Sequence, residues 1–468
     1  MRKLYWYITA FIRKHGLTFF VSAILAIGIF SFLVPVLAKK ITVKNKQYIG
    51  LVGEYQLNNL PPVIKQQLSV GLTKIDDEDK SVEPLLAERW VTENEGRTYR
   101  FILKEGVHWT DGEPVTPDDV NYHFQDVETI TTPNDVIFKL PDKFAPFPAV
   151  VSEPLLKYAQ QPYFLFFKKP TVIGVGPYTL NSYQEKGGRL SQVILDGPES
   201  RLIYRFYLTE KDALLAFKKG EINYLPDITD PHDLKNWSQI EVDEHINYDQ
   251  YLGVFFNNEY PAFNKNVKQS LSYALKKPEG KQRAISPFNP FSWAYLEGCK
   301  DYEYDLDRAA ERLLESLPAE PLDITITTSN VFLQEAEQIK SDWEQFGQHA
   351  AAACESSDEI ENKDLCQNAN ISVNLKVTNF PDTNNFQVLL IGQTIPDDPD
   401  QYFMWHSDQA TNFCSYQNTR VDSLLEKGRQ TLNQDERKAV YQELQQFLLE
   451  DPPAVFYKYL TSYDLRRD

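Results

Sequence analysis

The run from Glu83 to Phe124, EPLLAERWVTENEGRTYRFILKEGVHWTDGEPVTPDDVNYHF, constrains this chain more than any other stretch. Pro84, Leu85, Leu86, Ala87 and Trp90 make a short apolar segment. Glu93-Asn94-Glu95-Gly96 comes next as a polar turn, in which glycine is free to take a positive φ. Thr98–Leu103 is rich in aromatic and β-branched residues and predicts a strand. Glu105-Gly106 and Asp111-Gly112 are two further turn signals. Thr116-Pro117-Asp118-Asp119 predicts a helix start, with threonine as cap, proline in the first helical position and acids at the positive end of the dipole. Such a succession occurs in many folds, so its meaning depends on the rest of the chain.

At 468 residues the chain is too long for one ordinary core and suggests about two to three domains. Strand signals recur at Tyr48–Leu51, Val136–Leu140, Tyr178–Leu180, Leu202–Tyr207, Tyr251–Phe256, Leu322–Thr327, Ile371–Val377 and Phe386–Ile391. Helical patterns lie at Val63–Leu72, Glu210–Lys219, Asn266–Lys276, Leu306–Leu317, Val331–Gly347, Arg420–Thr431 and Gln434–Leu449. This mixture predicts an α/β protein with sheets covered by helices. No internal repeat or long low-complexity tract is present.

Several segments are distinctive in their order. Val175-Gly176-Pro177-Tyr178-Thr179-Leu180 comes after the opening signature. Then come ALLAFKKGEI at Ala213–Ile222, YLGVFFN at Tyr251–Asn257 and Pro261-Ala262-Phe263 before a helix. YDLDRAAERLL at Tyr304–Leu314 and the pair Gln417–Leu425 and Asp435–Leu449 complete the series. Each motif is short; in this order and spacing they resemble the extracytoplasmic solute-binding proteins of ABC importers, in the family 5 class that binds peptides, dipeptides and nickel. The resemblance spans roughly residues 50–460.

It implies a two-lobed, periplasmic-binding-protein-like α/β fold of type II, with an extra inserted domain. Lobe I would comprise about 47–73, 171–256 and 446–468, the inserted domain about 74–170, and lobe II about 257–445. Ligand-driven closure would hinge near residues 255–258 and 440–455. The implied function is capture of a peptide or similar small polar solute between the lobes, for delivery to ABC permease subunits, without catalysis or a cofactor. Two alternatives remain: a non-peptide solute, and a surface sensor or interaction protein that reuses the fold without transport.

The resemblance also points to a ligand loop, Ile391-Gly392-Gln393-Thr394-Ile395-Pro396-Asp397-Asp398-Pro399-Asp400. Peptide-binding members hold the peptide amine with an aspartate on this loop, because an unpaired buried charge is costly. Two departures stand out: Gln393 replaces the family's tryptophan, and an ungapped match puts Ile395 where the aspartate belongs. A shift brings Asp397 there. The expected ligand-binding set is Asp397, Gln393, Thr394, Asp398, Tyr55, Asn58, Asn257, Tyr402 and Trp405. Alternatively, Asp397, Asp398 and Asp400 form a solvated turn capping the YFMWH segment, and the aromatic residues pack in a core.

Leu17–Ala38 is a run of about 22 residues without a charge, long enough to span a bilayer as a helix. It predicts an uncleaved single-pass anchor at 17–38, with 1–16 in the cytoplasm, 39–46 as a linker and the ligand domain on the extracytoplasmic side. A cleaved signal peptide ending at Val36-Leu37-Ala38 is the competing reading.

The net charge of −18 and the lack of a basic stripe argue against nucleic acid as a partner. No GxSxG, GxxxxGK[ST] or HExxH occurs, and Gly174-Val175-Gly176 lacks the third glycine of a dinucleotide site. His108, His123, His232, His245, His349 and His406 are scattered without metal-ligand spacing. Of the four cysteines, Cys354 and Cys366 flank a polar excursion and form the favoured disulfide. A second bridge, Cys299 with Cys414, and four unpaired thiols are the other possibilities.

Overall fold

The computed structural model describes residues 45–467 apart from 165, 166 and 358–361, together with residues 6, 9, 14–16, 21, 22 and 24–26. The expected anchor at 17–38 lies mostly outside the described residues, as do most of 1–16 and all of 39–44. Among the described residues no helix is long and apolar enough to cross a membrane.

The chain starts with β1 (Asn45–Val52) and the helix Pro62–Leu68. β2 (Thr73–Ile75) and β3 (Val82–Pro84) form a hairpin. β4 (Ala87–Glu93), β5 (Thr98–Leu103), β6 (Glu128–Thr131) and β7 (Asp135–Lys139) make a small sheet of order β4-β5-β7-β6. A hairpin of β8 (Lys157–Phe164) and β9 (Phe167–Ile173) leads out of this region. β10 (Thr179–Lys186), β11 (Arg189–Asp196), β12 (Ser200–Tyr207) and β13 (Tyr224–Ile228) then gather around β1. The last five strands are β14 (Ile240–Phe256), β15 (Leu322–Thr328), β16 (Ile371–Val377), β17 (Val388–Thr394) and β18 (Ala454–Arg467). With β1 and β10–β13 they form one ten-stranded sheet of order β10-β11-β12-β1-β13-β18-β14-β17-β15-β16.

β14 and β18 make that sheet two-lobed. They pair antiparallel from Ile240–Arg467 to Phe255–Ala454, a ribbon long enough to serve both halves. Val242 and Leu465 pack with Phe217 and Leu225 in the first lobe, whereas Leu252, Val254, Val455 and Tyr457 pack with Trp343 and Phe346 in the second. Between them the register slips, from Asn247 to Tyr251 and again from Leu252 to Gly253, and such bulges bend a strand and raise its twist. These register slips do not coincide with the stretches expected as hinges, 255–258 and 440–455. Phe255 and Phe256 are fully buried in the second lobe, and 440–450 belongs to the helix Gln434–Glu450, so the ribbon changes lobes earlier on β14 and later on β18.

The opening signature contributes Tyr99 and Phe101 to a buried core that they share with Phe138 and Phe147. Its turn contains Gly96 at φ +91°, as the sequence predicts. The helix expected at Thr116 is a single 3₁₀ turn, Pro117–Asp119, although the Asp119 carboxylate accepts from both the Thr116 amide and hydroxyl at 2.8 Å. The chain then leaves the helix, with Val120 extended and His123 at φ +55°, because Val120, Tyr122 and Phe124 all pack against this core, a spacing of two that a helix cannot satisfy. Conversely, the helix expected to stop at Gly347 runs Leu333–Ser356, since Ala350 and Cys354 continue its buried stripe.

Cys354 and Cys366 are disulfide-bonded, with a Cα–Cα distance of 5.4 Å. The second bridge is absent: Cys299 and Cys414 are free thiols, Cys414 sealed in the second-lobe core and Cys299 at its edge.

A buried lysine makes the fold pH-sensitive. The Lys277 ammonium donates to the carbonyls of Ser272 at 2.6 Å, Leu275 at 3.0 Å and Tyr302. Burial, aided by the Arg283 charge, pushes its pKa down from 10.5 to about 7. The unfolded chain keeps this proton up to about pH 10.5, so folding expels it between the two values and stability rises with pH across that window. Urea unfolding at pH 7.5 and 8.5 should show the wild type gaining about 1 kcal/mol more than Lys277→Met. Equal gains would place the folded-state lysine pKa above about 8.5.

Candidate ligand-binding site

The ligand loop is positioned by strand pairing. β17 runs antiparallel to β14, with Gln393 opposite Tyr251 and Thr394 opposite Gln250, so it ends at the ribbon crossing. The Ile395 amide donates to the Asp249 carbonyl at 2.8 Å and carries the pairing one residue further. Ile395 itself is buried in the second-lobe core, which leaves the aspartates after it to face outward or bind neighbours.

They do three different things. Asp398 takes two hydrogen bonds from the Arg437 guanidinium, at 2.8 and 2.6 Å. Asp400 accepts from Arg429 Nε at 2.8 Å, and burial nonetheless holds its carboxyl above the usual range. Rather than mainly capping the short helix Tyr402–Trp405, these two bolt the loop to the helices Thr419–Gln430 and Gln434–Glu450, although the Tyr402 amide also reaches Asp400 at 3.2 Å. Asp397 reaches the turn between β2 and β3, 3.6 Å from Lys80 Nζ. Its pKa is raised by burial, against the pull of Lys80 and with the push of Asp249.

Gln393 and Thr394 line a second-lobe cavity of about 370 Å³, together with Tyr251, Phe403, Met404 and Phe413. The walls are largely apolar, yet the Tyr251 hydroxyl is buried there with no hydrogen-bond partner among the described residues. A buried hydroxyl left unpaired costs about 1–3 kcal/mol. A bound group that accepts from it, or a trapped water, would recover that loss.

The other expected residues separate. Tyr402 lies face-on to the Arg429 guanidinium at 3.9 Å and stacks on His406 at 4.2 Å, just behind the loop. Trp405 is fully buried and donates to Gln401 at 2.7 Å, a core role. Asn257 is buried and ties the end of β14 to the Phe386 carbonyl at 2.9 Å. Tyr55 and Asn58 belong to the first lobe: Tyr55 packs on Phe206 at 5.5 Å, and the Asn58 carbonyl accepts from Tyr158 at 3.5 Å.

Sequence reasoning missed a second cavity, of about 520 Å³, on the first-lobe side of the ribbon. Gln47, Gln67, Asp227, His245, Asn247 and Asp464 contribute to its wall. Asp464 organises it, accepting from Tyr224 at 2.6 Å and the Asp227 amide at 3.1 Å, with His245 Nε2 at 3.6 Å. Burial, then the hydrogen bond to Asp464, lifts the Tyr224 pKa to about 12. No local motif marks these residues, because they come from separate strands and a helix. Lys80, Asp249 and Asn289 were missed for the same reason: they too come from segments far apart in the chain.

Two lobes joined by a shared ribbon, with a cavity on each side of its crossing, define the solute-binding, periplasmic-binding-protein-like class of α/β protein. Comparison with known proteins narrows the class. Residues 81–413 match the bacterial extracellular solute-binding proteins, family 5, middle region. The dipeptide-binding protein of Escherichia coli is 23% identical over 461 residues, covering 82% of each chain. Among solved structures, the ABC transporter substrate-binding protein CtaP of Listeria monocytogenes superposes with a TM-score of 0.70 at 20% identity, covering 91% of this chain and 94% of that one. NikZ of Campylobacter jejuni, in complex with Ni(L-His), gives 0.67 at 22% identity with the same coverage. The chain belongs to family 5 of the extracellular solute-binding proteins, the binding components of ABC importers.

Proposed function

We propose that this protein captures a peptide or a similar small polar solute between its lobes and presents it to an ABC permease at the outer face of the membrane. Lobe I would be built from β1, β10–β13 and the outer ends of β14 and β18, and lobe II from β15–β17 with the inner ends, the region about 74–170 being the insertion. The segment 17–38 would tether the binding region, with 1–16 inside and 39–46 as the linker. Asp397, Gln393 and Thr394 would contact the solute from lobe II, and Tyr55 and Asn58 from lobe I.

One observation carries this reading: a single strand, β14, feeds both cavities. Asn247 lines the first-lobe cavity and Tyr251 the second, on either side of the first of the bulges in β14. A bend at those bulges would bring the cavities toward one another, and a solute touching both would favour the closed form by its differential contacts.

Native mass spectrometry of the purified full-length protein should detect a co-purified small solute. After the solute is stripped and returned, X-ray scattering should show a smaller radius of gyration. A scattering profile indifferent to every retained compound, or chemical conversion of the solute, would reject the reading.

A further inference from the structure

Beside the segments that line the second-lobe cavity stands an ammonium group, and it is the protein's own. Lys80 Nζ lies 3.2 Å from Asp249 and 3.6 Å from Asp397. Asp249 also accepts from Asn289 Nδ2 at 2.6 Å. Asp249, Asn289 and Asp397 each stand within two residues of a cavity-lining residue, namely Tyr251, Pro287 and Pro396. Four distant segments thus meet at one point: the β2–β3 turn, the ribbon, the segment carrying Asn289 and the ligand loop.

The lysine is placed there firmly. Its turn is closed by the Lys80 amide donating to the Asp76 carbonyl at 2.9 Å, and the Asp79 carbonyl accepts from the Trp293 amide at 2.8 Å. Lys80 adopts φ +59°, a left-handed conformation that costs a non-glycine residue about 1–2 kcal/mol. Its side chain is 11% exposed, whereas Asp249 and Asp397 are 47% and 57% exposed. The cation is covered while both carboxylates keep a face toward open space. Two carboxylates around one cation are an arrangement for holding an ammonium, and a second ammonium arriving there would meet the first as a like charge.

We propose that Lys80 is a built-in occupant of this ammonium position, so that the cleft selects solutes presenting no free amine there: N-blocked or neutral polar molecules. Exclusion by a like charge is an effective way to separate two otherwise similar ligands. The inference rests on the solute-capture reading and sharpens it to a ligand class.

Calorimetric titration of the full-length wild type, Lys80→Ala and Lys80→Met with trialanine and N-acetyltrialanine tests it. Both variants should bind trialanine at least about tenfold tighter than the wild type, while affinity for N-acetyltrialanine stays the same. In parallel, n-butylammonium chloride should raise the melting temperature of Lys80→Ala, relative to sodium chloride of equal concentration, and leave the wild type unmoved. Lys80→Met keeps the buried stem and guards against simple misfolding. Wild-type binding of trialanine as tight as that of the variants, or no protection of Lys80→Ala by n-butylammonium, would overturn the proposal. If neither peptide binds any of the three proteins, the peptide reading falls, and the n-butylammonium result alone decides the role of Lys80.

Discussion

Arg437→Met should lower the unfolding free energy by about 3–5 kcal/mol, measured by urea denaturation at neutral pH. The guanidinium is 5% exposed and fully engaged. It makes the paired contacts to Asp398, donates to the Gly428 carbonyl at 2.9 Å and reaches the Tyr441 hydroxyl at 3.0 Å. Methionine fills much of the volume but leaves the Asp398 carboxylate, its side chain 12% exposed, without a counter-charge. That uncompensated charge, more than any lost attraction, sets the size of the effect. The double variant Arg437→Met with Asp398→Leu should therefore recover a large part of the loss, because no buried charge then stays unpaired. If the double variant is as unstable as the sum of its parts, the pair is not what holds the loop to the helices. The ligand loop hangs from this joint, so Arg437→Met should also loosen whatever Gln393, Thr394 and Asp397 hold.

Gly174→Ala should be nearly as damaging, at about 3 kcal/mol, seen as a lowered denaturation midpoint or loss of folded protein on expression. Gly174 directly follows β9, the strand that returns the chain toward the ten-stranded sheet. A Cβ there would overlap the backbone carbonyl of Leu68, the last residue of the helix Pro62–Leu68. At Gly176 it would lie 2.6 Å from the Gln67 carbonyl oxygen. The close approach is used: the Gly176 amide donates to Leu68 at 2.8 Å, the Tyr178 amide to Gln67 at 3.2 Å, and Thr110 to the Gly174 carbonyl at 2.9 Å. These bonds lock the inserted region to the end of that helix. Since backbone, not a flexible side chain, is in the way, relaxation cannot absorb the methyl group cheaply. Gly112→Ala makes a useful contrast, because nothing lies within 4 Å of a Cβ there and only its φ of +93° resists the change. A Gly174→Ala protein as stable as Gly112→Ala would show that the joint is softer than the packing indicates.

The VGPY segment illustrates why motif order was informative. Its glycine and the neighbouring Gly174 are required by backbone contact between two remote segments, a constraint that leaves a local mark in the sequence. The same holds for strand β5, which is the apolar run Thr98–Leu103, and for β16, Ile371–Val377, whose bounds coincide with the sequence expectation. Helix limits were harder. Val120–Phe124 was pulled out of a helix by core contacts, and Ala350–Ser356 was drawn into one, since tertiary packing outweighs local propensity of a few tenths of a kcal/mol per residue.

The ligand loop could be located from sequence, but its aspartates could not be assigned. Asp397, Asp398 and Asp400 look alike in the chain. In space they meet Lys80, Arg437 and Arg429, partners hundreds or tens of residues away. Asp249 and Tyr251 sit two residues apart where β14 passes from a polar to an apolar stretch, at a bulge, yet one stands beside an ammonium and the other lines a cavity with its hydroxyl unpaired.

By itself the sequence determined the class of fold and the order of its parts, because apolar periodicity, turn residues and obligatory glycines are short-range requirements written into consecutive positions. The tertiary structure alone decided where the lobes meet and which charges neutralise one another. Those depend on distances between segments far apart along the chain, and electrostatic pairing is decided by ångströms of separation and by burial, neither of which any local stretch of residues specifies.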